Sequence, residues 1–256
     1  MGVREEERDP VRLEARLRRG LTAAIVAAWV AAITAEATGA ASLLHHDGLI
    51  QDGPAMWIAL PAFLLTWQVM LAAMMLPSSL PLMRMFASAS AKQPRPRAAM
   101  AGFLGGYALI WTGFGALAFA FDIGVHATVD ASPWLEDHTW VLGAGVLVLA
   151  GAFQFSSLKY ACLDKCRHPA QFMLRFYRRG VRGGLQLGLR HGLFCLGCCW
   201  ALMLVMFSVG VASLLAMAAL TALMVFEKTQ PRGRQVVPVA GVTLFATALT
   251  IAVYSA

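Results

Sequence analysis

The stretch from Leu189 to Phe226 reads LRHGLFCLGCCWALMLVMFSVGVASLLAMAALTALMVF. As one helix, these 38 residues would extend about 57 Å, at 1.5 Å per residue. That is too long for one crossing of a hydrocarbon core about 30 Å thick. Basic residues flank both ends, and basic segments stay on the cytoplasmic side of a membrane. The stretch therefore predicts two short spans with a turn near Gly210. A re-entrant hairpin and one strongly tilted helix are the alternatives.

The composition of the whole chain is that of a membrane protein. Hydrophobic residues make up 59% and charged residues 14%, and the mean hydropathy is +0.64. Soluble domains carry about 25% charged residues. We predict an all-α, polytopic helical membrane bundle of about seven transmembrane helices, six being possible. The apolar runs lie near 20–43, 57–80, 98–121, 139–158, 189–209, 211–227 and 235–255. Residues 1–19 are predicted to be a charged cytoplasmic lead-in, and 20–256 a single helical transmembrane domain.

The distribution of positive charge predicts the topology. Loops 44–56 and 122–138 contain no Lys or Arg, whereas the other loops are basic. The positive-inside rule then places the N-terminus in the cytoplasm, and we expect insertion into a bacterial inner (cytoplasmic) membrane. Basic loops beside anionic lipid explain the net charge of +7 without a nucleic-acid partner. The pattern leaves the oligomeric state open.

The five cysteines form two groups that predict a soft-metal site. His191, Cys195 and Cys199 recur at every fourth residue, and residues three or four apart share a helix face. Met203 continues this spacing, and Cys198 lies on its flank. Thiolate, thioether and imidazole suit Cu(I) or Zn(II). The alternative for any one cysteine is that it packs as a small apolar residue.

The second group, Cys162 and Cys166, precedes a long basic loop, 167–190. Both groups should lie on the cytoplasmic side, where thiols stay reduced, so we predict one shared metal site that uses cysteines of both. Nearby cations favour thiolate; they are Lys159, Lys165, Arg167 and Arg190.

Methionines in the second span extend the soft-ligand set. Met74 and Met75 precede Pro77, which removes a helix hydrogen bond and frees a carbonyl one turn back. Such breaks often border binding sites in membrane helices. The candidate metal ligands are therefore Cys162, Cys166, His191, Cys195, Cys198, Cys199, Met74, Met75 and Met203.

These patterns favour a binding protein over an enzyme, and no catalytic residues are predicted. We expect Cu(I) handling by binding, transfer or transport, with zinc as the alternative metal. The expected partners are the lipid bilayer and a metallochaperone or metalloprotein. The alternative functions are a membrane thiol oxidoreductase and an assembly or scaffold protein with a structural zinc site. The outer-loop histidines are predicted to be dispensable for the metal; they are His45, His46, His126 and His138.

The same motifs resemble an uncharacterised family of predicted metal-binding integral membrane proteins, whose members are copper-chaperone-like. The resemblance covers roughly residues 60–235, in four blocks. The first block holds Trp67, Ala73, Met74, Met75, Pro77 and Pro81. The second holds Gln154, Leu158, Lys159, Cys162, Cys166, Arg167 and Pro169. The third is the HGxxCxGCCW motif from His191 to Trp200, preceded by Arg179-Gly180 and followed by Met203. The fourth holds Glu227, Lys228, Pro231 and Gly233. The resemblance implies metal binding by the cysteine-rich blocks.

Overall fold

The computed structural model of the chain describes residues 10–40, 55–209 and 213–255. These ranges contain helices and no strand, which confirms the predicted all-α class. The ten helices within these ranges are α1 Pro10–Ala37, α2 Met56–Ser90, α3 Pro96–Asp130, α4 Pro133–Asp137, α5 Trp140–Gln154, α6 Ser157–Arg167, α7 Pro169–Phe176, α8 Gly180–Val209, α9 Leu214–Thr229 and α10 Gly233–Ser255. The predicted lead-in, 1–19, lies partly outside the described residues, and its last ten residues belong to α1.

Several of these helices are long and apolar enough to cross a membrane. Five meet that description within the described residues, namely Glu14–Ala37, Met56–Ser90, Pro96–Asp130, Gly180–Met206 and Gly233–Ser255. The pair α5 and α6 makes a sixth if the two count as one span with a 66° bend. The prediction of a helical membrane bundle is therefore confirmed, with five to six candidate spans. In the described part of the run 211–227 the chain forms the 16-residue α9, which is shorter than the roughly 20 residues of a full crossing.

The long apolar stretch folds back on itself, as its length required. Helix α8 ends at Val209 and α9 begins at Leu214, while the expected turn residue Gly210 lies outside the described residues. The C-terminal end of α9 returns to the middle of α8, because Lys228 Nζ lies 3.2 Å from Cys195 Sγ. The two helices are therefore antiparallel, and the cysteines of α8 face the end of α9.

Small residues bring α3 and α8 into backbone contact. A Cβ built on Gly106 would lie 2.5 Å from the Leu185 carbonyl oxygen. Gly184 and Gly188 meet the carbonyl oxygens of Ala99 and Phe103 just as closely. Membrane helices use small residues at such interfaces because backbone approach maximises van der Waals contact. This packing fixes the position of the cysteines that follow in α8.

Pro77 frees a backbone carbonyl of α2, as predicted, and a side chain of α1 donates a hydrogen bond to it. The helix continues through Pro77, so the carbonyl of Ala73 loses its usual donor. The indole Nε1 of Trp29 donates to Ala73 O at 3.1 Å. The missing hydrogen bond at Pro77 therefore provides an acceptor that attaches α1 to α2. Met74 and Met75, which precede Pro77, are fully buried.

Candidate metal centre

The candidate site lies where α2, α3, α6, α8 and α9 meet. Helix α8 contributes His191, Cys195, Cys198 and Cys199, and α6 contributes Cys162 and Cys166. Cys166 is half-buried, and the other four thiols are buried and free of disulfides. The two cysteine groups are thus brought together, although 28 residues of chain separate Cys166 from Cys195.

The first sulfur pair joins α6 to α8. Cys166 Sγ lies 4.0 Å from Cys198 Sγ. Cys198 donates to the carbonyl of Cys195 one turn back, at 3.1 Å. Its side chain therefore projects toward α6, away from the stripe of Cys195 and Cys199.

The second sulfur pair joins α8 to α2. Cys199 Sγ lies 3.7 Å from Met75 Sδ, and it also donates to the Cys195 carbonyl, at 2.8 Å. Cys198 and Cys199 therefore share one carbonyl acceptor while each faces a different sulfur partner. Adjacent helical residues point about 100° apart, which explains how one helix supplies both pairs.

The spacing of both pairs suits a shared ion. Two sulfurs bound to one metal at about 2.3 Å lie about 3.8 Å apart in a tetrahedral site and about 4.0 Å apart in a trigonal one. The observed separations are 4.0 Å and 3.7 Å. A soft ion could therefore be held by either pair with little movement of the helices. Thiolate and thioether sulfur are donors that select Cu(I).

In the described part of the chain, however, the sulfurs form two separate pairs and not a closed set of four metal ligands. It contains no group of three or more His, Cys, Asp or Glu side chains arranged to hold a metal ion. A structural zinc site commonly takes four such ligands. The arrangement thus offers low-coordinate sulfur donors, one of them a methionine.

A buried ammonium group lies beside the thiols. Lys228 Nζ donates to Cys195 Sγ at 3.2 Å, to Ser78 Oγ at 3.1 Å and to Cys199 Sγ at 3.8 Å. A buried charge needs a polar or charged partner, and here the thiols provide most of that environment. Lys228 is therefore the cation nearest to the α8 cysteines among those with described contacts.

The basic residues near the cysteines in sequence have other partners. Lys159 is fully buried and forms a 2.7 Å ion pair with Glu227. Arg167 donates to the carbonyls of Glu227, Gln230 and Pro231. Both residues fasten α6 to the end of α9, so they position Cys166 rather than contact its sulfur.

His191 belongs to a polar chain that leads to Cys195. Its Nε2 lies 3.1 Å from Ser79 Oγ, and that hydroxyl donates to Tyr107 Oη at 3.3 Å. Tyr107 Oη in turn lies 3.2 Å from Cys195 Sγ. The imidazole also stacks on the rings of Phe103 and Tyr107. His191 therefore acts on the cluster through Ser79 and Tyr107 in this structure.

Three other predicted ligands lie in the core near these groups. Cys162 Sγ packs against Gly197, where an added Cβ would lie 2.6 Å from it. Met74 and Met203 are fully buried members of the same core. Across the described residues, no hydrogen bond joins a thiol to either methionine. In this structure Met75 therefore lies beside a thiol of α8, whereas Met74 is only packed in the core. Likewise, Cys166 pairs with Cys198, whereas Cys162 packs on Gly197.

Sequence reasoning missed the roles of Lys228, Tyr107 and Ser79. Lys228 follows an apolar run, and the charge pattern alone assigns it to the basic flank of residues 189–226. A charged residue at the end of such a run can equally be drawn inside the bundle, where intramembrane charges mark functional sites. Tyr107 and Ser79 carried no distinguishing pattern, because a single hydroxyl in an apolar helix is common.

Two of the four outer-loop histidines have contacts away from these thiols, and the other two lie outside the described residues. His126 pairs with Asp122 on α3 at 3.8 Å, and His138 Nδ1 lies 2.8 Å from the carbonyl of Trp134. His45 and His46 fall outside the described residues. Their dispensability remains a prediction.

Comparison with known proteins gives a family and no individual relative. The family described as PpoB2, copper chaperone, matches residues 64–251. This range contains all five cysteines, Met75 and Lys228. No curated protein and no solved structure matches the chain. Since the match covers most of the sequence, the chain belongs to the PpoB2 copper chaperone family.

Proposed function

We propose that this protein handles Cu(I) within a helical membrane bundle, binding the ion as cargo through cysteine thiolates and a methionine thioether. The observation that carries the proposal is the pairing of sulfurs from different helices, Cys166 with Cys198 and Cys199 with Met75. Membership of a copper chaperone family supports the choice of metal. The ligands are Cys166, Cys198, Cys199 and Met75, with Cys195 beside them.

The chemistry of the donors favours Cu(I) over zinc. Sulfur-only donors in low coordination numbers suit a soft monovalent ion, whereas zinc prefers a closed set of four ligands. Lys228 adds a charge argument. Its ammonium contacts Cys195 and Cys199, and when both of these are thiolates the three groups carry a single negative charge, which one Cu(I) neutralises. A divalent ion would leave an uncompensated positive charge in a buried site, which is energetically unfavourable because the charge has lost its hydration.

The proposed location is the cytoplasmic side of a bacterial inner membrane. The half-buried Cys166 lies at the end of α6 next to Lys165 and Arg167, and Arg232 and Arg234 lie in the segment that α6 contacts. Basic segments face the cytoplasm. A soluble metallochaperone or metalloprotein could exchange the ion there, with Cys166 as the accessible thiol.

Metal competition tests the proposal. The purified, reduced, full-length protein should take Cu(I) from a bathocuproine-type chelator under conditions where an equal concentration of Zn(II) does not displace it. Zinc is the required comparison because it is the alternative metal for the same thiols. Preferential retention of zinc would favour the scaffold function with a structural zinc site.

The same Cys166–Cys198 pair supports the second candidate, a membrane thiol oxidoreductase. A disulfide needs the two sulfurs at about 2.05 Å, so a 4.0 Å pair could close by a modest movement of α6. In that case, a mild dithiol-specific oxidant would consume two thiols per chain, and both would reappear on reduction. A Cys162→Ser chain should behave like the parent, whereas Cys166→Ser should abolish the reversible loss.

A further inference from the structure

The residues that supply the sulfurs differ in their exposure at the protein surface. Cys166 is half-buried, while Cys198, Cys199 and Met75 are at most 1% exposed. The two pairs therefore form a series that runs from the accessible end of α6 to the interior between α8 and α2. Their connection is short, because Cys198 and Cys199 are consecutive and donate to the same carbonyl oxygen.

We infer that these pairs are two stations that a soft ion occupies in order, the outer station Cys166/Cys198 first and the inner station Cys199/Met75 second. The inference rests on the proposed function and assigns a route within it. The ion binds Cys166 and then Cys198 as thiolates, and their two thiol protons are released to solvent. It moves to the inner pair when Cys199 gives up its proton and binds the ion, while an outer thiolate leaves the ion and takes a proton up. No change of oxidation state is involved.

The donors make the inner station the weaker one. The outer station offers two thiols, which bind Cu(I) as two anions. The inner station replaces one of them by the neutral thioether of Met75. The Lys228 ammonium lies 3.8 Å from Cys199 Sγ and further opposes a cation there. An ion that passes through a protein needs sites from which it can also leave, and a weaker second site meets that requirement.

The contacts that hold α6 in place favour entry of the ion at Cys166. Arg167 ties the end of α6 to the carbonyls of Gln230 and Pro231, and the buried Lys159–Glu227 pair holds the start of α6 to α9. Cys166 is thereby kept at the edge of the bundle with its sulfur turned toward Cys198. Cys162, one turn earlier on the same helix, packs on Gly197 instead and serves as the internal control.

Selenomethionine labelling separates the two stations. The full-length labelled protein, reduced and held in nanodiscs, is loaded with one and then two equivalents of Cu(I). X-ray absorption at the selenium edge then reports a Cu–Se contact. We expect no such contact at one equivalent and a clear one at two. Met75→Leu should abolish it and lower copper binding from two ions to one. Met74→Leu, an equally buried neighbour, should retain both.

The order of occupation is tested by loading kinetics. Cys166→Ser should slow the appearance of the Cu–Se contact at least tenfold, and Cys162→Ser should leave its rate unchanged. Alkylating Cys166 in the folded wild-type protein should have the same effect, which guards against a folding defect in the variant.

Three results would overturn the inference. They are a Cu–Se contact at one equivalent, unchanged loading of the Cys166→Ser and alkylated proteins, and sulfur-bound copper without selenium contact at any loading. The last result would remove the inner station while leaving the proposed function intact. Failure to bind copper at all would instead defeat the proposed function.

Discussion

The ammonium of Lys228 lies 3.2 Å from the thiol of Cys195, so the end of α9 contributes a positive charge to a cysteine cluster that α8 presents. Both groups are buried. This contact joins the two halves of the long apolar stretch, and it places a charged residue where it affects which ion the thiols accept.

Replacing Lys228 by Met should shift metal preference from Cu(I) toward Zn(II). Without the ammonium, two thiolates match a divalent ion. A unit charge about 4 Å away changes the energy by about 4 kcal/mol at an effective dielectric constant near 20. Even a third of that is about tenfold in affinity. Competition titrations of the Lys228→Met and Lys228→Arg chains measure this shift. An unchanged preference in the Met variant would show that Lys228 does not set selectivity.

Breaking the buried Lys159–Glu227 pair should destabilise the protein strongly. Glu227→Gln leaves Lys159 buried without its anion, and such single removals cost about 3–5 kcal/mol. The double variant Lys159→Met/Glu227→Leu removes both charges and should recover much of the loss. Thermal unfolding in detergent measures both effects. A double variant no more stable than the single one would argue that the pair has a role beyond charge compensation.

Gly188→Ala should loosen the α3–α8 interface. The new Cβ would collide with the Phe103 carbonyl, and overpacking of this kind costs about 1–3 kcal/mol. Gly105→Ala is the matched control on α3, because its Cβ would meet no atom within 4 Å. We expect a lower unfolding temperature for the first variant only. Equal stability of the two variants would contradict the close packing described for these helices.

Cys195 and Arg232 should lie on the same side of the membrane, and we expect that side to be the cytoplasm. The Cys195–Lys228 contact puts both positions at one end of the α8–α9 hairpin. Because Cys195 is buried, the half-buried Cys166 serves as the reporter for the cysteine cluster. Single cysteines at 166 and, as Arg232→Cys, at 232, in a chain lacking its other cysteines, can be labelled with membrane-impermeant reagents before and after lysis. Labelling of position 232 only from outside would defeat this topology.

The fold was largely predictable because its helices are long apolar runs. The return of the chain after α8 followed from the length of 189–226 and its basic ends. The bend after Gln154 was not predictable, since the run 139–158 gives no strong breaking signal before Ser156. The shortness of α9 was also missed, because the apolar run 211–227 is almost long enough to cross.

The candidate site was predictable in composition but not in pairing. Helical spacing placed Cys195 and Cys199 on one face and suggested that they would share one metal. In the structure each contacts a residue of another helix. Cys199 lies beside the sulfur of Met75, and Cys195 lies beside the ammonium of Lys228. Spacing within one helix cannot reveal partners that tertiary packing supplies, and the buried Lys228 is the clearest example.

Replacement of all five cysteines tests the central claim most directly. Copper-edge X-ray absorption of the wild-type chain should show short sulfur contacts, and the chain with all five cysteines changed to Ser should lose tight Cu(I) binding. The control chain, with His45, His46, His126 and His138 changed to Ala, should retain the wild-type copper content and spectrum. Undiminished Cu(I) affinity in the cysteine-free chain would contradict the account and would assign the metal to methionine or histidine.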